Sequence, residues 1–310
     1  MGKGWQYYVM RVLSAVVCLF SYERIIAWGR KLGPWGEKLL KKQRQRGLLQ
    51  VRESLHCSTE EAERIIAEMF ANLGQSLLEI MYTPRLQSEN ISSFVTLEHQ
   101  ERLEEALQAD KGVIVLTGHF GNWEWLGASL ALYGYPTTTI VKNQPNDQVT
   151  RLLNEYRIQK GLEVFPRGGN AMIIAARALK RKKILGFLAD QDGGKEGIPC
   201  TFFGKIASSP KGAAQFSYKF GSPVIPVFAV HDANHHHRVV VGEAVTCPFC
   251  GDPRKDIAAL TAAITAVTET WIRTYPSEWL WFQHRWNTPP EEMIALQAHK
   301  GDDTCVEKDR

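Results

Sequence analysis

This chain lacks the marks of the specialised protein classes. Its six cysteines (18, 57, 200, 247, 250 and 305) are scattered apart from one close pair. They do not form a disulfide framework, which fits a reducing compartment. The net charge is only +4 over 310 residues, so the chain is not a polycation. No recognised nucleic-acid motif accompanies its basic residues, and nucleic acid is not an expected partner. Internal repeats and low-complexity tracts are absent. Near the N-terminus the uncharged run Val12 to Tyr22 stops after eleven residues, too short to cross about 30 Å of hydrocarbon.

That N-terminal stretch is still unusual. On a helical wheel Lys3, Arg11, Ser14 and Ser21 fall in one narrow polar stripe, and the remaining surface is Trp, Tyr, Val, Leu and Phe. The pattern suits a helix lying in a membrane interface. A secretory signal fits less well, because no small-x-small cleavage site follows and Glu23 and Arg24 continue into another helical pattern. A helix packed on the domain is the third reading. Lys38, Lys41, Lys42, Arg44, Arg46 and Arg52 come next. They form either a solvated helix face or an attraction to anionic lipid of about 1 kcal/mol per charge. The expected division is an N-terminal membrane-associated helix (1–32), an α/β domain (33–297) and a charged, aperiodic, disordered tail (298–310).

The chemistry points to one place. Val113 to Thr117 is an uncharged apolar run that reads as a buried strand. Gly118 and Gly121 bracket His119 in a tight turn, Asn122 can cap the following helix, and Glu124 falls in its first turn. The histidine thus sits at a strand's C-terminal end, the edge where open α/β sheets bind ligands. A neutral imidazole there can take a proton from a hydroxyl while a carboxylate fixes its tautomer. The competing reading is a core histidine beside a helix-capping glutamate.

Strands near 113, 137, 162, 184, 223 and 238 alternate with helices. The expected fold is α/β, a largely parallel central sheet covered by helices on both faces. Ser209-Pro210 reads as an N-cap and N1 pair opening a helix. Asp190-Gln-Asp192 at a strand end could hold a metal but has no evident third ligand. Cys247-Pro-Phe-Cys250 near the histidines of segment 231–237 could bind zinc. The consecutive histidines alternate faces, however, so few can converge, and a hairpin tip and a loop are preferred. No metal is expected.

Gly118-His-Phe-Gly-Asn-Trp-Glu124 resembles the His-x4-Asp/Glu motif of glycerophospholipid-type acyltransferases. In particular it looks like the late (lauroyl/myristoyl) acyltransferases of lipid A biosynthesis. Pro145-Asn146-Asp147, Asp190-x-Asp192, Phe203-Gly204 and the closing Trp279-x-Trp281 through His284-Arg285-Trp286 match the same family, and the resemblance runs to about Pro290. It implies transfer of a fatty acyl chain from an acyl-carrier-protein thioester to a hydroxyl of a lipid A precursor. It places the enzyme on the cytoplasmic face of the inner membrane and requires no cofactor. His119 would be the base and Glu124 its orienter. Arg167, which follows a strand and precedes a glycine-led helix start, suits an anion. Asn122, Arg157, Asp190, Asp192, His284 and Arg285 complete the expected substrate contacts, with Asp190 and Asp192 equally suited to orienting a catalytic group. A phosphatidylinositol mannoside acceptor and a non-catalytic lipid-binding protein are the alternatives.

Overall fold

The computed structural model describes residues 4–141, 146–166, 168 and 170–293. Four helices come first: α1 (Trp5–Val17), α2 (Tyr22–Leu39), α3 (Lys41–Leu55) and α4 (Thr59–Tyr82). Strand β1 (Val95–Glu98) and α5 (Gln100–Gln108) lead into an alternating run. It comprises β2 (Val113–Thr117), α6 (Trp123–Leu132), β3 (Thr137–Val141), α7 (Asp147–Gln159), β4 (Glu163–Pro166), α8 (Ala171–Lys180) and β5 (Ile184–Leu188). A hairpin of β6 (Ile198–Phe202) and β7 (Lys205–Ser209) precedes α9 (Gly212–Phe220), β8 (Val224–His231), β9 (His237–Val241) and α10 (Pro253–Thr274).

The expected largely parallel sheet is present, with strand order β1-β9-β8-β2-β5-β3-β4. Strands β8, β2, β5, β3 and β4 run parallel, while β9 turns back antiparallel to β8 and takes β1 with it. Every residue of β2 is buried, because its alternate side chains feed two different layers. Val113 and Val115 join Ile25, Leu103 and Trp125 on one face; Ile114 and Leu116 join Leu179, Ala214 and Ile264 on the other. Each such buried aliphatic is worth about 1.5–3 kcal/mol, so the central strand carries no polar group before Thr117. Strand β1 and the β6–β7 hairpin escape a sequence reading. β1 is only four residues long, and β6 carries Pro199 and Thr201.

Ser209 does not open a helix. It ends β7, and its hydroxyl accepts from Arg285 (2.7 Å) and Thr265 (3.0 Å). The helix begins beyond it, at Gly212.

The N-terminal apolar stretch is two helices, not one. The polar stripe of α1 faces the protein. Ser14 donates to the Met81 carbonyl (2.5 Å) and accepts from Tyr156 (2.6 Å), while Arg11 pairs with Glu155 (3.6 Å). The opposite face is left bare: Trp5 and Tyr8 are 62% and 65% exposed, with Val12, Leu13 and Val16 beside them. Leu19, Trp28, Trp35 and Leu39 are exposed apolar residues of the same N-terminal region. Among the described residues no helix is long and apolar enough to cross a membrane. Within the basic cluster, Arg44 pairs with Glu37 (2.7 Å) and Arg46 donates to the Phe282 carbonyl (2.9 Å). Lys38, Lys41 and Lys42 are exposed. Lys3 and the tail 298–310 lie outside the described residues.

Helices α2 and α4 touch backbone to backbone. A Cβ on Gly33 would stand 2.5 Å from the Ala71 Cα, and one on Gly74 would stand 2.3 Å from the Gly29 carbonyl oxygen. Gly36, on the same helix, has nothing nearer than a Phe70 ring atom at 3.6 Å. Gly33→Leu is therefore expected to destabilise the protein by about 1–3 kcal/mol or more through overpacking. Gly36→Ala should be neutral or stabilising by up to about 1 kcal/mol through helix propensity. Thermal unfolding of the two variants checks the contrast; equal midpoints would show that the helices do not meet this closely.

Candidate active site

The site is set by strand register. β2 and β5 are neighbours, with Thr117 opposite Leu188. Two residues further along each chain stand His119 and Asp190. Gly118 makes their approach possible, since a Cβ there would lie 3.0 Å from the Asp190 carboxyl carbon. Gly121 adopts φ +47°, and a Cβ would meet the Ala229 carbonyl at 2.6 Å. Both glycines are needed for the loop to turn so tightly.

The Asp190 carboxylate is buried and receives four donors. The His119 backbone N–H reaches it at 2.9 Å, His119 Nδ1 at 2.9 Å, Trp279 Nε1 at 2.8 Å and Gln283 Nε2 at 3.0 Å. A carboxylate only accepts, so the His119 proton sits on Nδ1. Nε2 is left with its lone pair, on a side chain that is 19% exposed. Gln191 lies 3.3 Å from this nitrogen and is itself exposed. The Trp123 ring stands edge-on to the imidazole at 4.9 Å.

Burial works against an imidazolium at His119. The charge and hydrogen bond of Asp190, with a contribution from Glu124, outweigh it and raise the pKa above the ordinary histidine value. Burial likewise works against the Asp190 anion, but the charge and hydrogen bonds of His119 and the Gln283 amide hold it far below the usual carboxylate range.

This geometry corrects the expected pairing. The carboxylate hydrogen-bonded to His119 is Asp190, not Glu124. Glu124, in the first turn of α6, is clamped by Arg157 of α7, with Nε to Oε2 at 2.8 Å and Nη2 to Oε1 at 2.6 Å. Arg157 spends its remaining nitrogen on Asn154 (2.7 Å). It thus positions Glu124 and is not free for a substrate phosphate. Thr83, Tyr156 and Leu153 line a narrow slot with this ion pair.

Other expected substrate contacts also turn inward. Asn122 is buried as the N-cap of α6, accepting from Trp125 N–H (3.0 Å) and donating to Glu79 (2.9 Å). Both ends of its amide are used, so it shapes the loop and does not meet substrate. Asp192 accepts from Gly194 N–H (2.8 Å) and from the Thr288 N–H (3.0 Å) and hydroxyl (2.6 Å). Arg285 is fully buried, donating to the Ser208 carbonyl (2.6 Å) and the Ser209 hydroxyl, and lies over Phe202. Arg285 is thus not free for a phosphate, and Asp192 spends its oxygens on Gly194 and Thr288 instead of a substrate hydroxyl. His284 is exposed. Arg167 lies outside the described residues, as do 142–145. Phe202 and Phe203 are buried against Trp279, Trp281 and Trp286.

Sequence reasoning missed Trp279, Gln283 and Gln191. The first two sit in the closing segment 276–286, where no local pattern ties their N–H groups to Asp190. Gln191 is the middle residue of the Asp-x-Asp.

A strand-end histidine oriented by a buried acid defines a proton-transfer site in an open α/β sheet. Sequence comparison supplies the class. A family model described as bacterial lipid A biosynthesis acyltransferase matches residues 3–288, and the chain belongs to that family. It is 25% identical over 226 residues to the phosphatidylinositol mannoside acyltransferase of Mycolicibacterium smegmatis, covering 72% of each chain. To the Mycobacterium tuberculosis protein of the same name it is 24% identical over 200 residues, spanning 64% of this chain and 61% of that protein. To the lipid A biosynthesis palmitoleoyltransferase of Escherichia coli it is 24% identical over 242 residues, 77% of this chain and 76% of that one.

Asp190→Asn tests the orienting role. An amide can turn its NH₂ toward Nδ1 and place the proton on Nε2, the wrong tautomer for a base. Turnover should fall by roughly 10²- to 10⁴-fold. The pH dependence has a definite sign. A base must be neutral, so wild-type kcat/KM should rise with pH through an apparent pKa above about 6.5, the unperturbed histidine value. Losing the Asp190 charge should move that limb to lower pH, since burial then acts against fewer opposing charges. An unshifted limb in the folded variant would remove Asp190 from the assignment.

Proposed function

We propose that this acyltransferase-family chain moves a fatty acyl group from an acyl-carrier-protein thioester to a hydroxyl of a lipid A precursor. The observation that carries the reading is His119, its Nδ1 proton held by buried Asp190 and its Nε2 facing outward. Nε2 takes the acceptor hydroxyl's proton as the oxygen attacks the thioester carbonyl. The new C–O bond forms, the C–S bond breaks, and the departing thiolate takes the proton back from the imidazolium. Asp190 fixes the tautomer and steadies the positive ring in between. Glu124, held rigid by Arg157, adds negative charge near the imidazolium without touching it. Gln191 rests where the hydroxyl would lie and, being exposed, can yield to it. The thioester supplies the driving force.

The bare face of α1 suits a lipid acceptor. Its exposed Trp, Tyr, Val and Leu can enter the headgroup boundary while its polar stripe stays docked on α4 and α7. Lys38, Lys41 and Lys42 add attraction to anionic lipid. The cytoplasmic face of the inner membrane is the location this reading proposes. A phosphatidylinositol mannoside acceptor is the second reading, favoured by the similarity to the mycobacterial proteins. Both acceptors are anionic glycolipids with a free hydroxyl.

His119→Ala is expected to lose at least about a hundredfold in turnover, with its thermal midpoint little changed. Folded variant with wild-type turnover would remove His119 from the reaction. Offering the purified protein each acceptor in mixed micelles with acyl-carrier-protein donor should give lipid A acylation. Acylation of the mannoside alone would move the assignment to the second reading, and acylation of neither would leave a lipid-binding protein. Separately, the triple change Trp5→Glu, Val12→Glu and Leu13→Glu should shift the protein from the membrane pellet to the soluble fraction. Unchanged pelleting would show that α1 is not the attachment face.

A further inference from the structure

Behind the loop 118–122 lies a buried cluster that acyl transfer does not use. His231 ends β8, His237 begins β9, and the antiparallel register sets them opposite each other. Opposed residues share one face of the sheet, and these rings stand 4.5 Å apart between centroids. The expectation that few of these histidines converge holds only for adjacent ones; the two at the ends of the hairpin meet. Their side chains are 4% and 1% exposed.

Each ring commits one nitrogen to a carboxylate. His231 Nδ1 meets Glu278 at 2.9 Å, and His237 Nε2 meets the buried Glu79 of α4 at 2.8 Å. An ionised carboxylate only accepts, so those nitrogens carry the protons. The other two nitrogens, Nε2 of His231 and Nδ1 of His237, keep their lone pairs. Both are buried and, among the described residues, without a hydrogen-bond partner. Protonating them does not help, because it would put a buried N–H where no acceptor waits.

We propose that His231 Nε2 and His237 Nδ1 bind a divalent transition-metal ion of the zinc class, with the Glu79 carboxylate holding the His237 ring by its Nε2–H and water completing the shell. One ligating atom from each of the three residues lies within 4.8 Å of the others. Two donors on a tetrahedral zinc with bonds of about 2.0 Å stand roughly 3.3 Å apart, so small side-chain rotations close the site. The arrangement is the one metal-binding histidines adopt: one nitrogen on the ion, the other giving its proton to a carboxylate. Imidazole donors suit zinc, cobalt or iron(II) better than calcium or magnesium. The ion's role is structural. Gly121 N–H donates to the Glu278 carbonyl (2.9 Å), and Asn122 donates to Glu79 (2.9 Å). A metal there would join α4, the β8–β9 hairpin and the turn at 276–278, and would brace the catalytic loop from behind.

The test is metal content. The full-length protein, without an affinity tag and expressed with added zinc or cobalt, is dialysed and assayed by plasma mass spectrometry. The expected result is a stoichiometric ion, and ligand-field bands in the cobalt form without thiolate charge transfer. His231→Gln and His237→Gln should retain only a small fraction of it, while Cys247→Ser with Cys250→Ser should retain all. Should the histidine variants not fold, X-ray absorption of the zinc form decides, with nitrogen and oxygen ligands expected. Wild-type protein that is folded but metal-free after loading overturns the proposal. So does sulfur ligation, metal lost with the cysteines, or metal kept by the folded histidine variants.

Discussion

One buried carboxylate organises the sheet end that carries His119. Asp190 collects the backbone and ring of His119, the Trp279 indole and the Gln283 amide. These donors come from the end of β2 and from a segment 89 to 93 residues beyond Asp190 itself. A buried anion left short of donors would be costly, so each group is needed to keep the charge in place. That requirement draws the closing segment onto the sheet end, where Phe120 bridges Trp279 and Trp281 is buried beside them.

A second buried carboxylate mirrors the first on the far side of the same loop. Glu79 takes Tyr22 (2.9 Å), Gln75 (2.7 Å), Asn122 and His237. Burial alone would raise its pKa, but the charge and hydrogen bond of His237, with His231 beyond, hold it down to about 2. Loop 118–122 is thus held from both faces by fixed charge. The rigidity suits the base role proposed for His119, which depends on keeping one nitrogen aimed at the reacting hydroxyl. Glu124 and Arg157 form a third fixed pair between α6 and α7.

The helical front follows a different logic. Helices α2 and α4 bring glycine backbones together and add polar anchors, Tyr22 to Glu79 and Arg30 to Asn72 and Glu68. α1 docks through Ser14, Arg11 and Tyr7 and leaves its aromatic and aliphatic side bare. Such a helix gains little from facing water, and that bare side is the observation behind the proposed lipid contact.

What the sequence determined by itself was local. The apolar run 113–117, the glycines around His119 and the Asn122 cap dictate a strand, a tight turn and a helix start, because propensity, sterics and capping act over a few residues. The alternation of further strands and helices then gave a mostly parallel sheet. The tertiary structure decided which groups meet. His119 and Glu124 are close in sequence, yet the hydrogen bond goes to Asp190, because neighbouring strands set the register and helix α6 turns Glu124 toward Arg157. Arg285, Asn122 and Asp192 look like ligand-binding residues by type but are consumed as internal donors and acceptors, since burial demands that polar groups be paired. His231 and His237 lie six positions apart amid other histidines, and only the hairpin register places them face to face over Glu79. A side chain's chemistry is written in the sequence, but its partner depends on long-range packing that no local pattern encodes.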